Sequence, residues 1–118
     1  GSQARAGNLP GMSIPEVTVD ELEVALAAGG RVIDVREVHE YTDGHVPGAS
    51  LVVLSTVPDH VDAFRGEPAV FVICRSGARS MQACQYLAEQ GVETVNVAGG
   101  TMAWILSGRP VVAGDQPS

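Results

Sequence analysis

Val70-Phe71-Val72-Ile73-Cys74-Arg75-Ser76-Gly77-Ala78-Arg79-Ser80 is the stretch on which the fold turns. Its first half, together with Ala69, is an unbroken apolar and β-branched run, the pattern of a strand buried on both faces of a parallel sheet. Past Ser80, the residues Met81, Cys84, Leu87 and Ala88 recur at helical spacing until Gly91 stops them. The backbone between strand and helix must curl, and Gly77 supplies the permissive conformation. A cysteine delivered into such a turn meets inward-pointing N–H groups and the positive end of the helix dipole. Arg75 and Arg79 add two formal charges. These surroundings lower a thiol pKa to roughly 3.5–7.5, so Cys74 is expected to be substantially thiolate at neutral pH. An isolated cysteine more often serves as a small buried hydrophobe. Two arginines within five residues speak against that fate here.

Outward from this stretch the chain alternates short strands with short helices. Val17–Val19 reads as a strand, and Thr18 with Glu21 forms a capping box for a helix that carries Leu22, Ala25 and Leu26 on one face and ends at Gly29-Gly30. Arg31–Val35 is a second apolar strand, Glu37–Asp43 a short helix closed by Gly44, and Pro47-Gly48 a turn into the strand Leu51–Leu54. Ser55–Phe64 is expected to be helical. After the central strand Ala69–Ile73 and the helix Ser80–Gln90 come a strand Thr94–Val97, the turn Ala98-Gly99-Gly100 and a last helix Thr101–Ser107. Such alternation gives an α/β domain with a mostly parallel sheet covered on both faces. Ligands of such sheets sit at the carboxyl ends of the strands, where Cys74 falls.

The chain has 118 residues, enough for one hydrophobic core, with 45% apolar residues and a formal charge of −7. That charge disfavours nucleic acid, whose phosphates need a basic face. No apolar run approaches the ~20 residues that span a bilayer, and no signal segment is present, so no membrane partner and a cytoplasmic location are expected. Two cysteines make no disulfide framework and suit a reducing compartment. Residues 1–11 lack apolar pattern and read as an expression-tag remnant, 12–112 as the domain, and 113–118 as a flexible tail.

Four motifs appear in order: Asp34-Val35-Arg36-Glu37 with Glu40-Tyr41; Gly44-His45-Val46-Pro47-Gly48-Ala49; Cys74 to Ser80; and Gly99-Gly100-Thr101-Met102-Ala103-Trp104. Together they resemble the rhodanese family of sulfurtransferases, in its single-domain form, from about Ile14 to Val111. The resemblance implies a five-stranded parallel sheet flanked by helices, the cysteine loop as active site, and transfer of sulfane sulfur through a cysteine persulfide. It also implies a small anionic sulfur donor, a thiol, sulfite or cyanide acceptor, or a sulfur-relay protein as partners. The six-residue loop Cys74–Arg79 matches sulfurtransferases, whereas the related cell-cycle phosphatases use a loop one residue longer. Two-domain members that prefer thiosulfate carry lysine and threonine where Ser76 and Arg79 stand here, a departure that weakens the case for thiosulfate as natural donor.

Cys74 is thus the expected nucleophile, and the loop residues Arg75, Ser76, Gly77, Ala78, Arg79 and Ser80 the expected persulfide and substrate cradle. Arg75 is expected to face solvent and substrate. Arg79 is suited equally to substrate binding and to pairing with a distant carboxylate. Ser80 either donates its hydroxyl toward the sulfur or satisfies the first helical turn. Asp34 and Arg36 are expected to hold the pocket wall as an ion pair. His45 reads as a structural turn residue, and Cys84 and Trp104 as core. No His/Cys cluster has metal-ligand spacing, and the chemistry calls for no cofactor. Gly99-Gly100 lacks the remaining residues of a phosphate-binding loop. A phosphatase or arsenate reductase, or a persulfide carrier without turnover of its own, are the competing functions.

Overall fold

The central apolar run does become the middle of a sheet. In the computed structural model, which describes residues 13–118, five strands pair in parallel: β1 (Glu16–Val17), β2 (Val32–Asp34), β3 (Ser50–Leu51), β4 (Val70–Ile73) and β5 (Thr94–Val97). Their order across the sheet is β1-β5-β4-β2-β3, so β4 has a neighbour on each side. The tag-like segment 1–11 and Met12 lie outside the described residues.

Alternation along β4 sorts the two layers. Val70, Val72 and Cys74 face one side, with Ile33, Val35, Phe64, Ala83, Cys84 and Leu87. Helix α3 (Ala78–Glu89) covers that side, with the 3₁₀ turns Leu54–Asp59 and Val61–Phe64. Phe71 and Ile73 face the other, with Leu22, Tyr41, Val46, Val97 and Trp104. There α1 (Val19–Ala27), α2 (Val38–Asp43) and α4 (Gly100–Leu106) pack.

Several element ends differ from the sequence expectation. Thr18 is not in a strand; it caps α1 in the anticipated box with Glu21, which places Val19 inside the helix. The strand expected over Leu51–Leu54 is limited to Ser50–Leu51, and beyond it Val52 and Leu54 give their N–H groups to the Asp34 and Val35 carbonyls as the chain leaves the sheet. The helix expected over Ser55–Phe64 is instead two 3₁₀ turns broken at His60. Pro58 has no N–H for an α-helical ladder, and its ring crowds the carbonyl one turn back. Helices α3 and α4 begin earlier than expected, at Ala78 and Gly100, because the left-handed residues Gly77 and Gly99 immediately precede them.

The residues after Val112 run back along the His45 turn. Gly114 N–H donates to the Thr42 carbonyl and Gly48 N–H to the Pro117 carbonyl. His45 is buried, its ring stacked on Tyr41 at 3.7 Å, with Nδ1 2.8 Å from the Tyr41 carbonyl and Nε2 2.8 Å from that of Gln116. Both ring nitrogens therefore face backbone carbonyl oxygens, to which the ring donates its N–H.

Candidate active site

Cys74 leaves β4 at its carboxyl end, and only 1% of it is exposed. The next residues wrap around the sulfur before α3 begins. Gly77, at φ +109°, turns the chain so that its N–H lies 3.1 Å from Cys74 Sγ. Ser80 Oγ lies 3.3 Å from the same sulfur. Burial pushes the Cys74 thiol up, but hydrogen bonds from the Ser80 hydroxyl and the N–H groups of Ser80, Gly77 and Ser76 outweigh it, and the net shift is downward. The acidity thus comes from loop donors rather than chiefly from arginine charge.

The two loop arginines part company. Arg75 is exposed and, among the described residues, engages no carboxylate. It lines a groove of ≈ 210 Å³ together with Arg36, Glu40, Asp43, Gly44, Ile105 and Val111. Arg79, which was equally suited to substrate, folds back onto α2 and grips Glu40 with two parallel bonds of 2.8 and 2.9 Å. The Arg79 guanidinium holds the Glu40 carboxyl down at about 2. Ser76 and Ala78 are exposed on the rim.

Beside the loop, Asp34 and Arg36 at the end of β2 are buried against each other. Arg36 Nε and Nη2 reach the Asp34 carboxylate at 2.7–3.0 Å, and Nη2 also donates to the Gly44 carbonyl at 2.9 Å. The pair closes the wall between the strand and the Gly44 turn and does not touch the sulfur.

The diglycine is a packing device. Gly100 stands so close to the cysteine loop that a Cβ there would lie 2.5 Å from the Arg75 carbonyl oxygen and 2.6 Å from that of Cys74. This proximity lets Thr101 and Met102 N–H bond those two carbonyls at 2.8 and 2.9 Å, tying α4 to the loop. Cys84 lies fully buried in α3, where burial pushes its thiol up to about 11, a chemically quiet state.

Three residues outside the expected set belong to this constellation. Glu40 holds Arg79. Asn96, 1% exposed on β5, receives Ser80 Oγ at 2.5 Å, and its Nδ2 reaches Glu16 at 2.8 Å and the Gly77 carbonyl at 3.2 Å. Only the sheet order, which puts β5 between β1 and β4, could have signalled these contacts.

A loop of this build, with a buried sulfur ringed by backbone donors, can hold an anionic sulfur atom. The rhodanese-like domain family model matches residues 18–107, nearly the whole described chain. The chain belongs to the rhodanese-like domain family. It is 40% identical over 95 residues to "Putative sulfurtransferase YtwF" of Bacillus subtilis, covering 79% of this chain and 92% of that protein. It is 39% identical over 83 residues to a sulfurtransferase of Allochromatium vinosum, covering 70% and 78%. A crystal structure of a rhodanese-like domain protein from Staphylococcus aureus superposes with a TM-score of 0.72 at 33% identity, covering 77% of this chain and 91% of that one. Two relatives of this rhodanese-like domain thus carry the name sulfurtransferase. Among its described residues no helix is long and apolar enough to cross a membrane.

Proposed function

We propose that this rhodanese-like domain moves a sulfane sulfur atom through a persulfide on Cys74. In the first half-reaction the thiolate electron pair forms an S–S bond to the outer sulfur of thiosulfate, a polysulfide or a donor persulfide. The donor's own bond to that sulfur breaks, and sulfite or a shortened thiolate leaves with the electrons. In the second, a thiol, sulfite or cyanide acceptor attacks the outer sulfur, the Cys74 S–S bond breaks, and the thiolate returns. A sulfur-relay protein presenting a thiolate satisfies the same scheme.

The observation that carries the reading is the ring of donors on Cys74 Sγ, from Gly77 N–H at 3.1 Å and Ser80. These groups stabilise a charged sulfur in place, as an oxyanion hole stabilises oxygen. Arg75, free at the groove, is placed to meet an anionic donor. Asp34 and Arg36 act by holding the wall. The Arg79–Glu40 pair argues against phosphate or arsenate chemistry, since a tetrahedral dianion needs the guanidinium that Glu40 already holds.

Intact-protein mass spectrometry after brief exposure to thiosulfate, and in parallel to polysulfide, tests this. Addition of one sulfur is expected, removed by cyanide and absent in Cys74→Ala. If neither donor loads the protein, small-molecule transfer is discarded and loading by a protein donor becomes the reading to examine. Loading that discharges only to a protein acceptor would mark a carrier.

A further inference from the structure

A chain of polar side chains runs from the sheet edge to the reactive sulfur, from exposed Glu16 through buried Asn96 and Ser80 to Cys74. The Asn96 carboxamide has one permitted orientation. The Glu16 carboxylate and the Gly77 carbonyl can only accept, so both require Nδ2, and Oδ1 is left facing Ser80. Ser80 has a single hydroxyl proton and two acceptors in reach. Asn96 Oδ1 at 2.5 Å is much the better placed, and Cys74 Sγ at 3.3 Å receives what remains.

We propose that Asn96, oriented by Glu16, is a positioning residue that competes with Cys74 for the Ser80 proton and thereby sets how strongly the sulfur is stabilised as a thiolate. While Cys74 is neutral, the hydroxyl donates to Asn96 and offers a lone pair to the S–H. When negative charge appears on Sγ, the hydroxyl turns about its Cβ–Oγ bond and donates to sulfur instead. No bond to a heavy atom is made or broken at Ser80. The persulfide reading gives the turn a use, since Sγ becomes a thiolate leaving group when the outer sulfur is removed. The competition itself concerns the free thiol and stands or falls separately from that reading.

Other charged and titratable groups near the loop are the Arg79–Glu40 pair of α3 and α2, Arg75, the Asp34–Arg36 pair ending β2, Glu16 on β1, and the Cys84 thiol of α3. A neutral substitution at Asn96 changes the formal charge of none of them, and only Glu16 loses a hydrogen bond by it.

The test is the pH profile of Cys74 alkylation by iodoacetamide, in the Cys84→Ala background so that one thiol reports. Asn96→Leu frees the Ser80 proton for sulfur, and the profile's midpoint is expected to fall by up to about one pH unit, which makes alkylation up to roughly tenfold faster below the midpoint. Ser80→Ala moves the midpoint upward, and adding Asn96→Leu to Ser80→Ala then changes nothing further. A midpoint that rises in Asn96→Leu, stays put, or moves equally in the Ser80→Ala background overturns the proposal, because a merely structural role loosens the loop and weakens every donor. Should Asn96→Leu fail to fold, Asn96→Ala removes the same acceptor without setting an isobutyl group against the Gly77 carbonyl. It is expected to lower the midpoint in the same Ser80-dependent way, and a midpoint unmoved or independent of Ser80 overturns the proposal equally.

Discussion

Cys74, Arg75 and Arg79 lie within six residues, yet their environments assign them separate tasks. The sulfur draws its stabilisation from loop donors, Arg75 stays free, and Arg79 is withdrawn by Glu40. Glu40 gives the clearest single-residue consequence. Its pKa falls from the ordinary 4.5 to about 2 through the Arg79 hydrogen bonds, so the folded state binds this proton less readily than the unfolded chain. The stabilisation is complete above about 4.5 and drains away as pH drops toward about 2. Glu40→Gln is therefore expected to cost about 1 kcal/mol at pH 7, after allowance for solvent around Arg79, and to flatten stability between those pH values. Urea unfolding at a series of pH values checks it, and an acid limb as steep as that of the unaltered protein would refute it. Cys74 was legible at this scale because strand, glycine turn and helix follow one another locally. The Arg79 partner was not, since Glu40 lies 39 residues earlier and its place in the first motif does not say what it pairs with.

Among the elements, the contact between α4 and the cysteine loop is the tightest constraint on the site. Two N–H groups of α4 bond the carbonyls of Cys74 and Arg75, and only a residue without a Cβ permits that approach, here at φ +59°. The obstruction would be backbone on both sides, which cannot rotate away. Gly100→Ala is expected to cost about 1–3 kcal/mol and to slow sulfur loading, by shifting the loop carbonyls and with them the N–H groups that face Sγ. Thermal unfolding paired with the loading rate tests this; an unchanged rate would show that the α4 contact does not position the sulfur. The diglycine was visible in the sequence, but its use was not, because close approach depends on which elements the sheet order brings together. The same limit explains the segment Leu54–Phe64. Its apolar residues reach the core, yet Pro58 and the break at His60 divide it into 3₁₀ turns. The central strand was readable from its apolar run and the longer helices from their periodicity, since each buries surfaces whose spacing the backbone geometry dictates.

For the whole molecule, charge decides how an anionic donor arrives. The chain carries −7, and its cations are seven arginines without a lysine. Arg36 and Arg79 at the site are each neutralised by a carboxylate, while Arg75 shares its groove with Asp43. Of the two formal charges that the loop arginines bring to Cys74, one is thus left without a carboxylate among the described residues, set in an acidic surface. At low salt, where the Debye length of about 30 Å is comparable to the dimensions of the domain, a dianion such as thiosulfate meets the repulsion of much of the chain. Near physiological salt, at about 8 Å, it meets mainly Arg75. The loading rate with thiosulfate is therefore expected to rise by about twofold between 10 and 150 mM salt, where a site governed by attraction would slow. Arg75→Gln lowers the rate at every salt concentration and makes the rise steeper, because only repulsion is left to screen. Rates measured by quenched mass spectrometry decide between the two; a rate that falls with salt would mean that Arg75 outweighs the acidic surface even at long range.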